Sequence, residues 1–302
     1  MKKSLLILIL LFISFNCFTN DRVRTSDFSN FYFSPLRITR DHILHTSIFQ
    51  PFMFSALPLE KDSGLIGTSF EYTSIDDSYV GDNFGYNFEG GLYRLNFFID
   101  MNIFQNTEII LDYNIAGVDG DKFGITTTGG LIEPNIKKSG TGNIDLYVKN
   151  YLIKWNEIDF GFYVSATIPV DNTKLLAASR NFDFATGGLI TFQREEYAVH
   201  LNLGFVYTND PTPFISEAEF NQQWYVGSSF VALFVNNLYG IVQVSIQGPA
   251  MGVEGAPSGI VGQYTVGVRY VYDSYVSELW IGNGLGEGGH GIAGGIGLTL
   301  TY

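Results

Sequence analysis

Beyond residue 64, apolar and polar residues alternate along the chain at a period of two. In Leu92–Asn102, Tyr93, Leu95, Phe97, Ile99 and Met101 stand against Arg94, Asn96, Asp100 and Asn102. In Thr107–Ala116, Ile109, Leu111, Tyr113 and Ile115 stand against Glu108, Asp112 and Asn114. Glu157–Ile168 is the clearest stretch, with Ile158, Phe160, Phe162, Val164, Ala166 and Ile168 on one parity. Successive side chains of a strand point to opposite faces, so each stretch predicts a strand with one greasy and one polar face. The same reading gives about twelve strands. They fall near Leu65–Ile75, Phe88–Asn102, Thr107–Ala116, Asn143–Lys154, Glu157–Ile168 and Phe182–Gln193. The rest are Tyr197–Thr208, Trp224–Val235, Leu238–Gln247, Ile260–Tyr272, Tyr275–Gly282 and Gly291–Tyr302. Two depart from the rule: Trp224–Val235 is apolar on both faces, and Tyr275–Gly282 is short and mixed.

The connections sort by length. Tight turns at Phe104–Asn106, Trp155–Asn156, Arg194–Glu196, Asn236–Asn237 and Asp273–Ser274 alternate with longer links. The links are Asp76–Asn87, Gly117–Gly142, Pro169–Asn181, Asn209–Gln223, Gly248–Gly259 and Asn283–His290. A soluble sandwich has no reason to separate its loops in this way. A transmembrane barrel does, with short periplasmic turns and long external loops. The expected fold is all-β: a single antiparallel transmembrane β-barrel of about twelve strands, an even number, in meander order over residues 64–302. Ile296, Leu298, Leu300 and Tyr302 alternate to a terminal aromatic, which resembles the signal read by the barrel-assembly machinery.

The N-terminus fits export. Lys2 and Lys3 precede an apolar run from Leu5 to Ile13, the two parts of a secretory signal, placed here over residues 1–19. That run is too short to span a bilayer as a helix. Cys17 stands where a lipoprotein signal would place its acylated residue, but Phe15 and Asn16 fit a lipobox poorly. Residues 20–63 are aromatic and apolar and are broken by Pro35, Pro51 and Pro58, so a central strand is not expected. This segment is expected to plug the lumen or to close its periplasmic mouth. The location implied is the outer membrane of a diderm bacterium, with its lipids as the first partner.

Composition agrees and narrows the function. Charged residues are only 16% of the chain, below the quarter usual in soluble domains, while aromatics also reach 16%. Half of each strand facing lipid, with aromatic girdles at both interfaces, accounts for both figures. One cysteine excludes a disulfide framework. A net charge of −13 excludes a nucleic-acid surface, which needs a basic footprint.

Gly140-Thr141-Gly142-Asn143-Ile144-Asp145, with Lys149 and Tyr151 on the same strand and Thr167-Ile168-Pro169 ending the next, resembles outer-membrane barrels of the phenol meta-pathway type. The family's Asp is Asn143 here, and its Thr-Gly after the proline is Val170-Asp171. The resemblance spans these two strands. It implies a barrel of about twelve strands and a role in moving small, often hydrophobic molecules.

If apolar faces look outward, parity places the charged residues inside. The expected luminal acids are Glu71, Asp100, Glu108, Asp112, Asp145, Glu157, Asp159 and Glu278. The luminal bases are Arg94, Lys149 and Arg269, with His200 titratable. These ions either fill and rigidify a narrow lumen or line a pore that favours cations. The leading function is a narrow channel or transporter for a small-molecule solute. The alternatives are a sealed structural or surface-interaction barrel and, behind it, a lipid-modifying enzyme. No cofactor, metal or catalytic site is expected. His290 has no partner specified in sequence, and Gly282–Gly286 lacks the strand–turn–helix setting of a nucleotide loop.

Overall fold

In a computed structural model, the structure describes residues 29–38, 52–80, 84–104, 106–127, 130–132, 139–168, 170, 182–207, 219–220, 222–248, 251–252, 261–285 and 291–302. Twelve long strands make the wall: β1 (Gly64–Val80), β2 (Phe84–Phe104), β3 (Thr107–Thr127), β4 (Ser139–Trp155), β5 (Ile158–Ile168) and β6 (Asp183–Gln193), followed by β7 (Tyr197–Tyr207), β8 (Gln223–Val235), β9 (Leu238–Gln247), β10 (Val261–Tyr272), β11 (Tyr275–Leu285) and β12 (Ile292–Thr301). Each pairs antiparallel with its sequence neighbours. The sheet closes where β1 meets β12, from Leu65 opposite Thr301 to Thr73 opposite Ala293. Closure joins the two ends of the sheet, so within the ring each strand has a hydrogen-bonding neighbour on both sides, as a bilayer requires.

The short turns lie together at one end. Asn156, Asn237 and Asp273 adopt positive φ there, the region that Asn and Asp tolerate better than most residues. The outer surface is apolar and solvent-facing: Phe70, Phe97, Leu203, Val242, Val266, Ile281 and Leu298 are all exposed. Apolar groups lying outside a closed wall need a hydrocarbon solvent, so the band they form is the membrane contact.

The first three strands correct two of the expected loops. β1 and β2 stay paired through Val80 opposite Gly85, and β3 stays paired with β2 to Thr127 opposite Phe84. Residues 76–80 and 84–87, read as loop from sequence, are strand. So are residues 117–127. β2 and β3 each have 21 residues, about twice the 9–11 needed to cross a bilayer. The hydrogen-bond ladder needs no apolar face, so it continues past the stretches where the expected strands ended. β11 likewise runs on to Leu285, past the expected Gly282.

Inside the barrel lie the described parts of the N-terminal region. A short helix, α1 (Ser29–Tyr32), leads into an extended stretch to residue 38, and residues 52–59 form a second extended stretch. Phe31, Tyr32, Phe33 and Leu36 pack against Val231, Tyr239, Val276 and Trp280 of the wall. Phe52, Phe54 and Ala56 pack against Ile110, Tyr147, Tyr163 and Leu189. These contacts explain why β8 is apolar on its inner face near the short turns: Val231 is fully buried against the inner segment rather than facing water. The short-turn half of the barrel therefore has a true hydrophobic core, built from wall and inner segment together.

Candidate functional site

The polar inner wall in the short-turn half is organised around the backbone of the inner segment. Arg269, three residues from the end of β10, is fully buried. Its Nη1 donates to the carbonyls of Phe31 (2.9 Å), Tyr32 (2.7 Å) and Ser34 (2.8 Å), and Nη2 to that of Pro35 (3.3 Å). The carbonyls at a helix C-terminus lack partners within the helix, and a cation there satisfies them and suits the dipole. Glu278 on β11 stands directly across from Arg269 and accepts from its Nε at 2.8 Å. The guanidinium thus joins one wall carboxylate to four segment carbonyls.

The second stretch is held similarly. Asn202 on β7 clamps Phe54 by both backbone groups: Nδ2 donates to its carbonyl (2.9 Å) and Oδ1 accepts from its N–H (2.7 Å). Lys149 pairs with Glu108 at 2.6 Å and donates to the Leu57 carbonyl at 3.0 Å. Glu108 also accepts from the Leu59 N–H, and Asn102 donates to the Leu59 carbonyl. Arg37 pairs with Asp100 and lies over the Phe98 ring. Between segment and wall is a small cavity lined in part by Ser34, Arg37, Ser55, Asp100, Glu108 and Lys149.

His200 connects the two stretches. Its Nε2 lies 2.7 Å from the Phe33 carbonyl, so it carries the proton and donates. Its Nδ1 lies 3.0 Å from the Thr191 hydroxyl, which also accepts from the Ala56 N–H at 2.8 Å. One imidazole and one hydroxyl therefore tie both stretches to the wall. With both nitrogens committed, His200 is not placed to act as a base.

Further toward the long loops, aromatic side chains cross the inner wall. Tyr163 of β5 and Tyr225 of β8 touch through their hydroxyls. They lie over Gly187 and Gly204, which face each other across β6 and β7. A Cβ at Gly204 would sit 2.4 Å from the Tyr225 ring and 2.6 Å from the Thr186 carbonyl. The paired glycines make room for the tyrosines. Trp280 lies over Gly295 of β12 in the same way, where a Cβ would come within 2.7 Å of the ring.

Eleven of the twelve charged or titratable positions singled out from sequence face inward. Asp100, Glu108, Lys149, His200, Arg269 and Glu278 bind the inner segment or a side chain that does so. Asp159 is buried near the short-turn rim, with the Tyr151 hydroxyl at 3.3 Å and the Lys154 ammonium at 3.8 Å. Arg94, Asp112 and Asp145 lie on the inner wall above the segment. Arg94 stands across from Glu71, and Asp112 across from Asp145. Glu157 is the exception. It precedes the first wall residue of β5, is half exposed (51%), and pairs with Arg194 of the next short turn. Its parity is inward but its position is outside the lumen, because the strand has not yet begun. Cys17 and His290 lie outside the described residues.

The Gly-x-Gly motif sits at an irregularity in the wall. Pairing of β3 with β4 shifts register between Tyr113 and Ile115, and the Asn114 side chain falls where a Cβ of Gly142 would be, at 1.9 Å. Only glycine fits there. Asp145 of the motif accepts from the Thr167 hydroxyl at 2.7 Å, so the two strands that carry the resemblance are joined across the ladder. Arg37, Asn202, Thr191 and Asp183 were not singled out from sequence. The last three occupy inward positions that parity alone would have found. No periodic signal marks Arg37.

A closed meander of twelve strands, apolar outside and polar inside, defines a β-barrel of the outer-membrane type. The chain superposes on the COG4313 outer membrane channel from Pseudomonas putida F1 with a TM-score of 0.61, at 12% identity, over 84% of this chain and 100% of that one. It also aligns with the CymD monoaromatic hydrocarbon channel at a TM-score of 0.44 and 9% identity, covering 81% and 89% of the two chains. The transport unit of the autotransporter AIDA-I from Escherichia coli aligns at 0.46 and 9%, covering 80% and 91%. At these identities the likeness is one of fold. No family model matches the sequence. No curated protein matches it.

Proposed function

We propose that the chain is an outer-membrane channel for small molecules whose lumen is plugged from the short-turn side by its own N-terminal segment. Residues 1–19 direct export, residues 20–63 form the plug, and residues 64–302 form the wall, inserted by the barrel-assembly machinery through β12. The observation that carries this reading is the content of the lumen. A twelve-stranded wall encloses more space than its own side chains fill, and here a separate stretch of chain occupies the remainder. Displacing that stretch leaves a conduit lined by Lys149, Glu108, Asn202, His200 and Arg269. The plug is held by hydrogen bonds and ion pairs as well as by apolar contact, and water can replace the polar contacts at modest net cost. Likeness in fold to an outer-membrane channel supports the same reading.

Single-channel recording in planar bilayers tests it. The intact chain should conduct weakly or in brief openings. A variant lacking residues 20–59 should insert as a heat-modifiable barrel and conduct steadily. If the shortened barrel is folded and passes neither ions nor small sugars in liposome swelling, the channel reading fails and a sealed structural barrel takes its place.

A further inference from the structure

Three carboxylates of the inner wall stand beside the N-terminal segment, and they differ in where their cations come from. Glu108 of β3 pairs with Lys149 of β4, and Glu278 of β11 pairs with Arg269 of β10, so both of these pairs belong to the wall. Asp100 of β2 pairs instead with Arg37, which belongs to the inner segment. Among the described residues, Arg37 is the one cation within ion-pair distance of Asp100. Asp100 is fully buried, and a buried carboxylate needs a positive partner. If the segment leaves, Glu108 and Glu278 keep theirs and Asp100 does not.

The second observation is the form of the place that Arg37 fills. Phe98 lies two residues before Asp100 on the same inner face of β2, and the Arg37 Cζ sits 4.6 Å from the centre of its ring. Gly67 of β1 stands directly opposite Phe98, and a Cβ there would collide with the ring. A ring face with a carboxylate at its side suits a planar, delocalised cation better than a compact ammonium. Yet Arg37 uses the place incompletely. Its Nη2 bonds Asp100 Oδ2, while its Nη1 and Asp100 Oδ1 are both buried without a hydrogen-bond partner. A guanidinium free to turn can meet a carboxylate through two parallel bonds. The small cavity between segment and wall, lined by Arg37, Asp100, Glu108 and Lys149 among others, adjoins the same spot.

We infer that Phe98 and Asp100 form a binding site for a guanidinium-bearing solute, and that Arg37 occupies it as an internal substitute while the barrel is plugged. A free guanidinium compound competes with Arg37 for the carboxylate and the ring face. Its binding loosens residues 29–38 and so couples arrival of the solute to displacement of the plug. Tethering gives Arg37 an effective concentration on the order of millimolar, so a simple solute competes only at comparable concentration in the intact chain. The inference rests on the channel reading for the purpose of displacement, but the site itself is a property of β2 and is tested without an open pore.

Isothermal titration of the detergent-solubilised full chain carrying Arg37→Ala, with methylguanidinium as the probe, tests it. The substitution empties the site, so methylguanidinium should bind at least tenfold more tightly than to the unaltered chain, with an affinity that falls as salt is raised. Methylammonium should bind several-fold more weakly, and urea, planar but neutral, should not bind. Adding Asp100→Asn to Arg37→Ala should abolish binding, adding Phe98→Leu should weaken it several-fold, and adding Asp273→Asn, in a short turn, should leave it unchanged. Heat-modifiable migration establishes that each variant is folded. A second measurement needs no substitution: in the unaltered chain, hydrogen exchange of residues 29–38 should rise with millimolar methylguanidinium and not with equal sodium chloride or urea, while the wall strands stay protected. Absence of binding by folded Arg37→Ala, binding that survives Asp100→Asn, or exchange that rises equally with sodium chloride overturns the inference. Steady conductance by the shortened barrel without methylguanidinium binding by Arg37→Ala removes the site and leaves the channel. Binding without conductance does the reverse.

Discussion

The most direct test of how the inner segment is held is the substitution Arg269→Met. Methionine keeps most of the aliphatic length of arginine and removes the guanidinium. Four carbonyls then lose their donor, Glu278 loses its partner, and the stacking of the guanidinium on the Phe31 ring at 5.2 Å is lost. Hydrogen bonds to a charged group contribute about 1.5–3 kcal/mol each, but those made by one guanidinium do not add independently. A better guide is the cost of removing one partner of a buried ion pair, about 3–5 kcal/mol. The Glu278 side chain is 15% exposed, so water relieves part of its loss and the lower end applies, about 3 kcal/mol. That corresponds to a change of roughly a hundredfold in the docking equilibrium of residues 29–38. Hydrogen-exchange mass spectrometry on peptides covering this stretch reads the change as lost protection. The wall strands should keep their protection, and the heat-modifiable gel shift should persist. Arg269→Lys should fall between, because an ammonium retains the pairing with Glu278 but cannot reach four carbonyls at once. Unchanged protection of residues 29–38 in a folded Arg269→Met barrel would falsify the claim that this guanidinium anchors the segment.

Other outcomes follow from single contacts. Asn202→Leu leaves both backbone groups of Phe54 without partners, at about 1–3 kcal/mol for each buried group, and should raise exchange in residues 52–56 while residues 29–38 change little. Gly204→Val places methyl groups into the Tyr225 ring and the Thr186 carbonyl; overpacking of this kind costs about 1–3 kcal/mol, and the folded band on gels should convert at lower temperature. Leu279→Lys puts a charge on the lipid face near the middle of β11 and should cost about 2–4 kcal/mol, read as a lower folded yield on refolding into liposomes. Arg194→Ala removes the half-exposed pair with Glu157 and the stacking on the Phe192 ring at 5.3 Å, each worth at most about 1 kcal/mol at an exposed site, and should leave gel shift and exchange nearly unaltered.

The wall and its luminal charges could be read from one strand at a time. Alternation fixes which face of a strand meets lipid, so parity alone put Asp100, Glu108, Lys149, His200 and Arg269 inside. It misplaced Glu157, because parity carries no information about where along the strand the wall begins. It also stopped short on β1, β2 and β3, where ladder pairing continues past the expected strand ends. In β8 the pattern was ambiguous because its short-turn end is apolar on both faces, one toward lipid and one, at Val231, toward Phe33 and its neighbours.

The partners of the luminal groups needed the folded chain. Arg269 and Phe31 are separated by 238 positions in sequence, and His200 and Phe33 by 167. Nothing local to either member of such a pair depends on the other. The prolines of residues 20–63 excluded a central strand, but nothing in that stretch said which wall groups its carbonyls would meet. By itself, the sequence determined the class of wall, the direction of its faces and the residues that line it, because these follow from a period of two and from the solvent on each side. Closure determined the rest. It joined β1 to β12 and fitted the N-terminal segment to its carbonyl-binding arginine. Those distances exist only once the sheet has curled shut around a second piece of chain.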